Sequence, residues 1–189
     1  MGKKTDLRVR KTRHAIHTAF REMICTLEPK DITVQSLAAR AQINRKTFYL
    51  HYHSIEALFE EMIQQVTDAY FEMMRTLPTP VDMDQQTQVT LEFYCSQPEH
   101  VEKMICHPSY RHLSDQITAR ALQRNRERYN GSAHLAEEIQ KIVNVFLVSA
   151  TMDIYRHWVQ EGKTLPVNDL IKTAVHLISY GYKGYVHKE

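Results

Sequence analysis

Residues 43–59 read INRKTFYLHYHSIEALF. An Arg–Lys pair stands ahead of three aromatic residues and two histidines, and a new helix begins directly afterwards. Asn44 is a natural cap for a short helix over RKTFYLH, residues 45–51. Upstream, Thr33 caps VQSLAARA, residues 34–41, whose Leu37, Ala38 and Ala41 make a small packing face. QIN, residues 42–44, is a three-residue break. Earlier still, Ile16, Ala19, Phe20, Met23, Ile24 and Leu27 recur at steps of three and four, one face of a helix. That helix stops before EPKD, where Pro29 disfavours a helical Glu28. A longer helix followed by two short ones predicts a helix-turn-helix. Ser54 then caps a fourth helix with Ile55, Leu58, Phe59, Met62, Ile63 and Val66 on its apolar side.

The pattern assigns chemistry to the opening segment. The second helix of such a motif enters the major groove N-terminus first, so Arg45, Lys46 and Thr47 reach base edges. Phe48 and Tyr52, four apart, face the core. Tyr49 and His51 have apolar bodies with polar tips, and are expected to pack inward while donating to phosphates at the rim. A metal held by His51 and His53 fails on geometry, because residues two apart on a helix point to different faces and no Cys or carboxylate sits at ligand spacing.

The charge distribution agrees with a nucleic-acid-binding head. The chain holds 24 Lys and Arg and 22 Asp and Glu, and 11 of the cations but only 4 of the acids lie in residues 1–53. The first third therefore carries +7 and the rest −5. Arg8, Arg10, Lys11 and Arg13 crowd the helix end where the macrodipole already places positive charge. The arrangement costs stability and points to an anion outside the fold.

Composition sets the fold class. In 189 residues there are only 5 Gly and 6 Pro, and β-branched alternation is scarce, which favours an all-α protein. Cys25, Cys95 and Cys106 are too few and too scattered for a disulfide framework, which suits reduced thiols in a cytoplasmic protein. The basic start MGKKTDLRVR has no apolar run behind it and does not read as a signal peptide. The most apolar stretch, residues 142–152, is short and interrupted by Asn144, against a membrane span. The expected organisation is a helix-turn-helix DNA-binding domain over residues 1–53 and a helical body over residues 54–189.

Residues 9–63 resemble the DNA-binding domain of the TetR family of bacterial transcriptional regulators. The likeness runs from ITVQSLAARA, residues 32–41, through INRKTFYLHYHSIEALFEEMI, residues 43–63. The family's tyrosine-any-histidine-aromatic element is present as Tyr49, Leu50, His51 and Tyr52. The resemblance implies that Gln35, Arg45, Lys46 and Thr47 read bases and that Thr33, Asn44, Tyr49 and His51 hold phosphates. Two positions depart from the family pattern. Gln42 stands in the turn where Gly commonly supplies a left-handed conformation. Ile55 stands where a Lys usually grips a phosphate, with Lys3, Lys4 and Arg8 of the N-terminal arm as the cations that compensate. On that reading, Ile55→Lys strengthens binding to all DNA sequences.

Beyond Arg75, LPTPVD breaks the chain, and helices are expected over residues 83–97, 98–107, 108–129, 132–162 and 167–186, with Pro98 and Pro108 in first turns. The penultimate helix carries Leu135, Ile139, Ile142, Val143, Phe146, Ala150, Ile154, His157 and Trp158 at steps of three and four. It is apolar nearly all round from Ile142 to Met152, so it is buried on more than one side. The last helix carries Leu170, Ile171, Ala174, Val175, Ile178, Gly181, Tyr182 and Tyr185. A homodimer through these two helices suits a dyadic DNA site, and the family resemblance implies the same pairing as a four-helix bundle. The resemblance further implies a small-molecule effector held between body helices. Phe93, Tyr94, Met104, Tyr110, Phe146, Met152, Tyr155 and Trp158 are the aromatic and Met residues suited to such a pocket, with Asp153 and His157 as a polar pair one turn apart. His100, Cys106, His107 and His112 lack the spacing of known metal motifs. No cofactor and no enzymatic constellation is expected. The function expected is a homodimeric repressor of TetR type, released from a pseudo-palindromic operator by an unknown ligand. An activator or ligand-independent regulator is the near alternative. A helical small-molecule carrier or interaction module that keeps a non-functional head is the alternative from another class.

Overall fold

A computed structural model describes residues 2–78, 82–126 and 136–186, with side chains described over residues 7–78, 82–124 and 136–181. Among the described residues the chain is all-α. The helices are α1 (Gly2–Thr26), α2 (Val34–Arg40), α3 (Arg45–Tyr49), α4 (Ile55–Met74), α5 (Met83–Cys95), α6 (Glu99–Cys106), α7 (Arg111–Arg126), α8 (Glu137–Gln160) and α9 (Val167–Val186). Leu135 and the expected start of the penultimate helix lie outside the described residues.

The local reasons are those of the sequence, with three differences. The expected caps form: Thr33, Asn44 and Ser54 each accept a backbone N–H of the first turn they precede. Ser36 completes a capping box by returning a hydroxyl to the Thr33 N–H at 3.0 Å. First, α1 begins at Gly2, so the basic cluster forms its opening turns instead of an arm ahead of it; nothing between Gly2 and Ile16 breaks a helix, and Lys, Arg and Leu favour one. Second, α3 ends at Tyr49, because the chain tightens and His51 N–H bonds Phe48 O three residues back. Third, Pro98 is the N-cap of α6 and not within its first turn.

Among the described residues, the larger of two hydrophobic clusters runs from α1 into the body, and a smaller one groups Met83, Val143, Leu147 and Ile178. Ile16, Phe20, Met23 and Ile24 of α1 pack with Leu37, Phe48 and the α4 residues Leu58, Phe59 and Ile63, each buried. Complete burial of such side chains contributes roughly 1.5–3 kcal/mol each. The same cluster continues into the body through aromatic edges: Phe20 to Phe59 at 4.7 Å and Phe59 to Tyr110 at 5.9 Å. The body also closes the C-terminal end of α1. Lys103 Nζ donates to Cys25 O and Leu27 O at 3.3 and 3.2 Å, and the Tyr110 hydroxyl donates to Leu27 O at 3.3 Å. A cation and a hydroxyl thus satisfy carbonyls that a helix end leaves without partners.

Along the outer edge of α4, Arg120 of α7 reaches Glu60 and Gln64, and Arg124 reaches Asp68 at 2.9 Å while lying over the Phe71 ring. Inside the body, Tyr70, Phe93, Tyr94, Tyr155 and Trp158 form a chain of ring contacts between 5.6 and 6.3 Å. Trp158 Nε1 donates to Leu165 O at 2.7 Å and the Tyr155 hydroxyl to Tyr94 O at 2.9 Å, so neither ring buries an unpaired polar atom. On α8, Val143, Leu147, Met152 and Tyr155 are buried, but Ile142, Val145 and Phe146 are 69%, 50% and 42% exposed.

Candidate nucleic-acid interface

The candidate reading surface is built from α2 and α3. Leu37 and Ala38 of α2 and Phe48 of α3 are buried, anchoring both helices to α1 and α4. The turn between them carries the consequence of Gln42. Its φ is +54°, and Gln42 N–H bonds Ala39 O while Ile43 N–H bonds Ala38 O, at 3.2 and 3.0 Å. This is a Schellman ending with Gln in the slot that favours Gly. The left-handed conformation expected there is present, at a cost of about 1–2 kcal/mol for a residue with a Cβ.

Outside this frame, Gln35, Arg45 and Lys46 are exposed and Thr47 is half-buried, all close to the N-terminal ends of α2 and α3. Thr33 is exposed, with its hydroxyl engaged in the α2 cap. Asn44 is exposed, and its Oδ1 accepts from Lys46 N–H at 2.9 Å, which leaves the amide NH2 as its outward donor. Arg8 is exposed on α1; Lys3 and Lys4 lie in the same helix, and their side chains are outside the described residues.

Two expectations about inward packing change. Tyr49 is 52% exposed, because Phe48 and Tyr52 fill the inner face of α3 and leave Tyr49 only an edge contact with Phe48 at 5.5 Å. His51 is half-buried. Ile55 is 8% exposed and belongs to the core. A Lys in its place has to displace buried apolar area, so the gain expected from Ile55→Lys meets a folding penalty.

A cluster absent from the sequence reading lies behind this surface. Arg13 Nη2 donates to both carboxylate oxygens of Glu61, at 2.9 and 3.0 Å, and its guanidinium sits 5.2 Å from the Tyr52 ring centre. His17 Nε2 is 2.8 Å from the Tyr52 hydroxyl and 3.4 Å from Glu61 Oε1. Burial lowers the His17 pKa, with the Glu61 charge opposing, while burial and then Glu61 push the Tyr52 phenol up. Arg13 stands out in the sequence only as part of the basic cluster expected to face an anion outside the fold; its anion is instead Glu61, 48 residues on, and local pattern offers no signal for that pair.

The body holds a narrow, mostly apolar cavity of about 30 Å³, room for little more than a water molecule, between α4, α5, α7 and α8. Of the ten residues expected around a ligand, Tyr94 and Met152 line it. Phe93, Met104, Tyr155 and Trp158 are buried in the core around it, and Tyr110 lies at the junction with α1. Phe146 covers Gly181, where an added Cβ would stand 3.2 Å from its ring. Asp153 and His157 are exposed and do not pair; Asp153 bonds Arg156 Nη1 at 2.6 Å instead. The reason is Arg156 itself, buried and donating to Ser114, Thr118 and Ile105 O as well. Its neighbouring carboxylate supplies the counter-charge. Sequence reasoning passed over Arg156, and also the cavity wall of Tyr70, Gln86, Thr87, Thr90, Thr118 and Thr151. Among the described residues no group of three or more His, Cys, Asp or Glu is arranged to hold a metal, and no helix is long and apolar enough to cross a membrane.

Comparison with known proteins fits this geometry. The family model described as "Bacterial regulatory proteins, tetR family" matches residues 29–62, the stretch from the first 3-10 turn into α4. Solved structures match over nearly the whole chain. A TetR transcriptional regulator from Streptococcus agalactiae aligns with TM-score 0.70 and 22% identity, covering 94% of this chain and 99% of its own. NalD from Pseudomonas aeruginosa, the secondary repressor of the MexAB-OprM multidrug efflux pump, aligns with TM-score 0.70 and 14% identity, over 92% and 96%. The fatty acid degradation regulator FadR from Bacillus halodurans aligns with TM-score 0.63 and 13% identity, over 89% and 94%. No curated protein matches the chain by sequence. Each of the three is described as a regulator or a repressor. Residues 29–62 thus match the TetR-family model, and the chain as a whole has the fold seen in those solved structures.

Proposed function

We propose that the protein is a ligand-responsive repressor that binds a pseudo-palindromic operator as a homodimer, with residues 1–53 as reader and residues 54–189 as sensor and dimerisation body. The observation that carries the reading is the exposed Gln35, Arg45 and Lys46, with half-buried Thr47, on two capped helices whose other faces are fixed in the core. Arg45, Lys46 and Thr47 meet base edges, Thr33, Asn44, Tyr49 and His51 meet phosphates, and the basic opening turns of α1 add charge that attracts the duplex.

Dimerisation is supported by a face that a monomer has no reason to leave bare. Ile142, Val145 and Phe146 of α8 and Leu177 and Tyr180 of α9, at 59% and 70%, are exposed together. A two-fold axis through this face sets two readers on two half-sites. The effector's place is at the small cavity between α4, α5, α7 and α8, which has to widen to admit a ligand, because α4 runs from that wall to the end of the reader. A ligand that prefers one spacing of these helices biases the two readers by its differential affinity alone.

Selection of bound sequences from random duplex DNA, followed by salt titration of the winner, tests the reading. A palindromic winner with affinity falling steeply in salt supports it. No enrichment, or binding indifferent to salt, removes it and leaves a helical carrier.

A further inference from the structure

Glu61 lies on α4, behind the reading surface, and its carboxylate gathers three elements. It receives Arg13 of α1 on both oxygens, and Gln65 Nε2 at 3.2 Å holds Oε1 from the next turn of α4. Through His17 it reaches Tyr52, where the last turn of the recognition helix closes on Phe48 O at 3.0 Å. Tyr52 is 6% exposed, and the side chains of His17 and Glu61 are 13% and 27% exposed, so the cluster is shielded and geometrically constrained. Charge-assisted hydrogen bonds in such a setting hold orientation better than apolar contact, which tolerates sliding.

We propose that Glu61 is a positioning residue for DNA reading: it fixes the angle of α3 and α1 against α4, so that base-facing side chains keep their register when α4 is held by the body. The proposal rests on the DNA-binding reading above. Glu61 itself does not face the duplex. The exit of the recognition helix has no other charged tie of this kind among its described contacts, since Phe48 and Tyr52 otherwise hold it by apolar packing. The rival role for the same geometry is the reverse one, in which Glu61 withholds Arg13, 43% exposed in its side chain, from a phosphate.

The two roles have opposite signs. Full-length Glu61→Gln and Glu61→Asp proteins are titrated against the duplex selected by the native protein, over a range of salt, alongside amide hydrogen exchange of residues 45–52. Positioning requires Glu61→Gln to bind about tenfold more weakly, the size of one charged hydrogen bond. It also requires an unchanged slope of log Kd on log salt, because no phosphate contact is lost. Exchange across residues 45–52 quickens, and Glu61→Asp recovers most of the affinity. Tighter binding by Glu61→Gln, with a slope steeper by about one, overturns the proposal in favour of withheld Arg13. Unchanged affinity and unchanged exchange overturn it as well. A native protein that enriches no sequence brings down the regulator reading itself, an outcome distinct from native binding that Glu61→Gln leaves intact.

Discussion

The reader and the body differ in the polar groups they bury and the side chains they leave bare. In the reader, the apolar side chains Ile16, Phe20, Leu37 and Phe48 are fully inside or nearly so, and Arg45, Lys46 and Gln35 are outside. In the body, Arg156, Asn144, Ser114, Thr90 and Thr151 are buried, while Ile142, Val145, Leu177 and Tyr180 face out. The buried set is satisfied: Thr90 and Thr151 donate to carbonyls one turn back, Asn144 reaches Leu122 O, and Arg156 spreads its donors over four acceptors. The body thus carries an exposed apolar surface on α8 and α9, the face on which the proposed dimer rests.

The largest effect is expected where that contrast is sharpest. Ile142→Glu with Leu177→Glu places charges on two exposed positions, so folding is spared while self-association weakens by about a hundredfold. Sedimentation over a range of concentrations checks it, and an unchanged dimer removes this face as the interface. Next is Arg45→Ala, which loses about 1–3 kcal/mol of discrimination at one base pair and little elsewhere. A repeat of the random-sequence selection reads the result, and unaltered preference at every position breaks the assignment of α3 as the reading element. Smaller still is Gln42→Gly. It relieves the left-handed strain and raises stability by about 1 kcal/mol in denaturant titration. A loss of stability there shows that the Gln side chain supports the turn.

The smallest effect concerns pH. Burial lowers the pKa of His17, and likewise that of His100. The unfolded chain takes up protons near pH 6.5, while the folded chain does so only at lower pH. Stability is thus full above 6.5 and declines as pH falls from there through the depressed folded values. Denaturation midpoints on the two sides of that value measure it, and His17→Gln flattens its share of the decline.

How much of this was legible in the sequence follows the same division. The reader was open to inspection because its logic is local: Thr33, Asn44 and Ser54 cap helices a few residues away, and Phe48 with Tyr52 keeps a helical step. The exposed Tyr49 escaped, since an aromatic ring one position off the core face carries no mark in the chain. In the body, helix positions were readable from the apolar period, but partners were not. Asp153 had His157 one turn ahead and Arg156 three residues ahead; only the burial of Arg156 against α7 decides between them. Thr87, Thr90 and Thr118 of the cavity wall sit in the polar-rich helices α5 and α7, where nothing in the local pattern separates an inward threonine from an outward one. Glu61 and Arg13 meet across 48 residues, which no local rule spans.

The carbonyls that close α1 have a practical consequence. Cys25 and Leu27 take their donors from Lys103 and Tyr110, and Phe20 rests on Phe59, so the borders of sequence motif and of physical unit do not coincide. Recombining this reader with the body of another regulator at residue 53 would cut through a shared core and strand a helix end. A working chimaera has to take α4 along with the reader and to find in its new body a hydroxyl and a cation for that end. On the proposed reading, specificity is portable only together with α4 and the contacts that close α1.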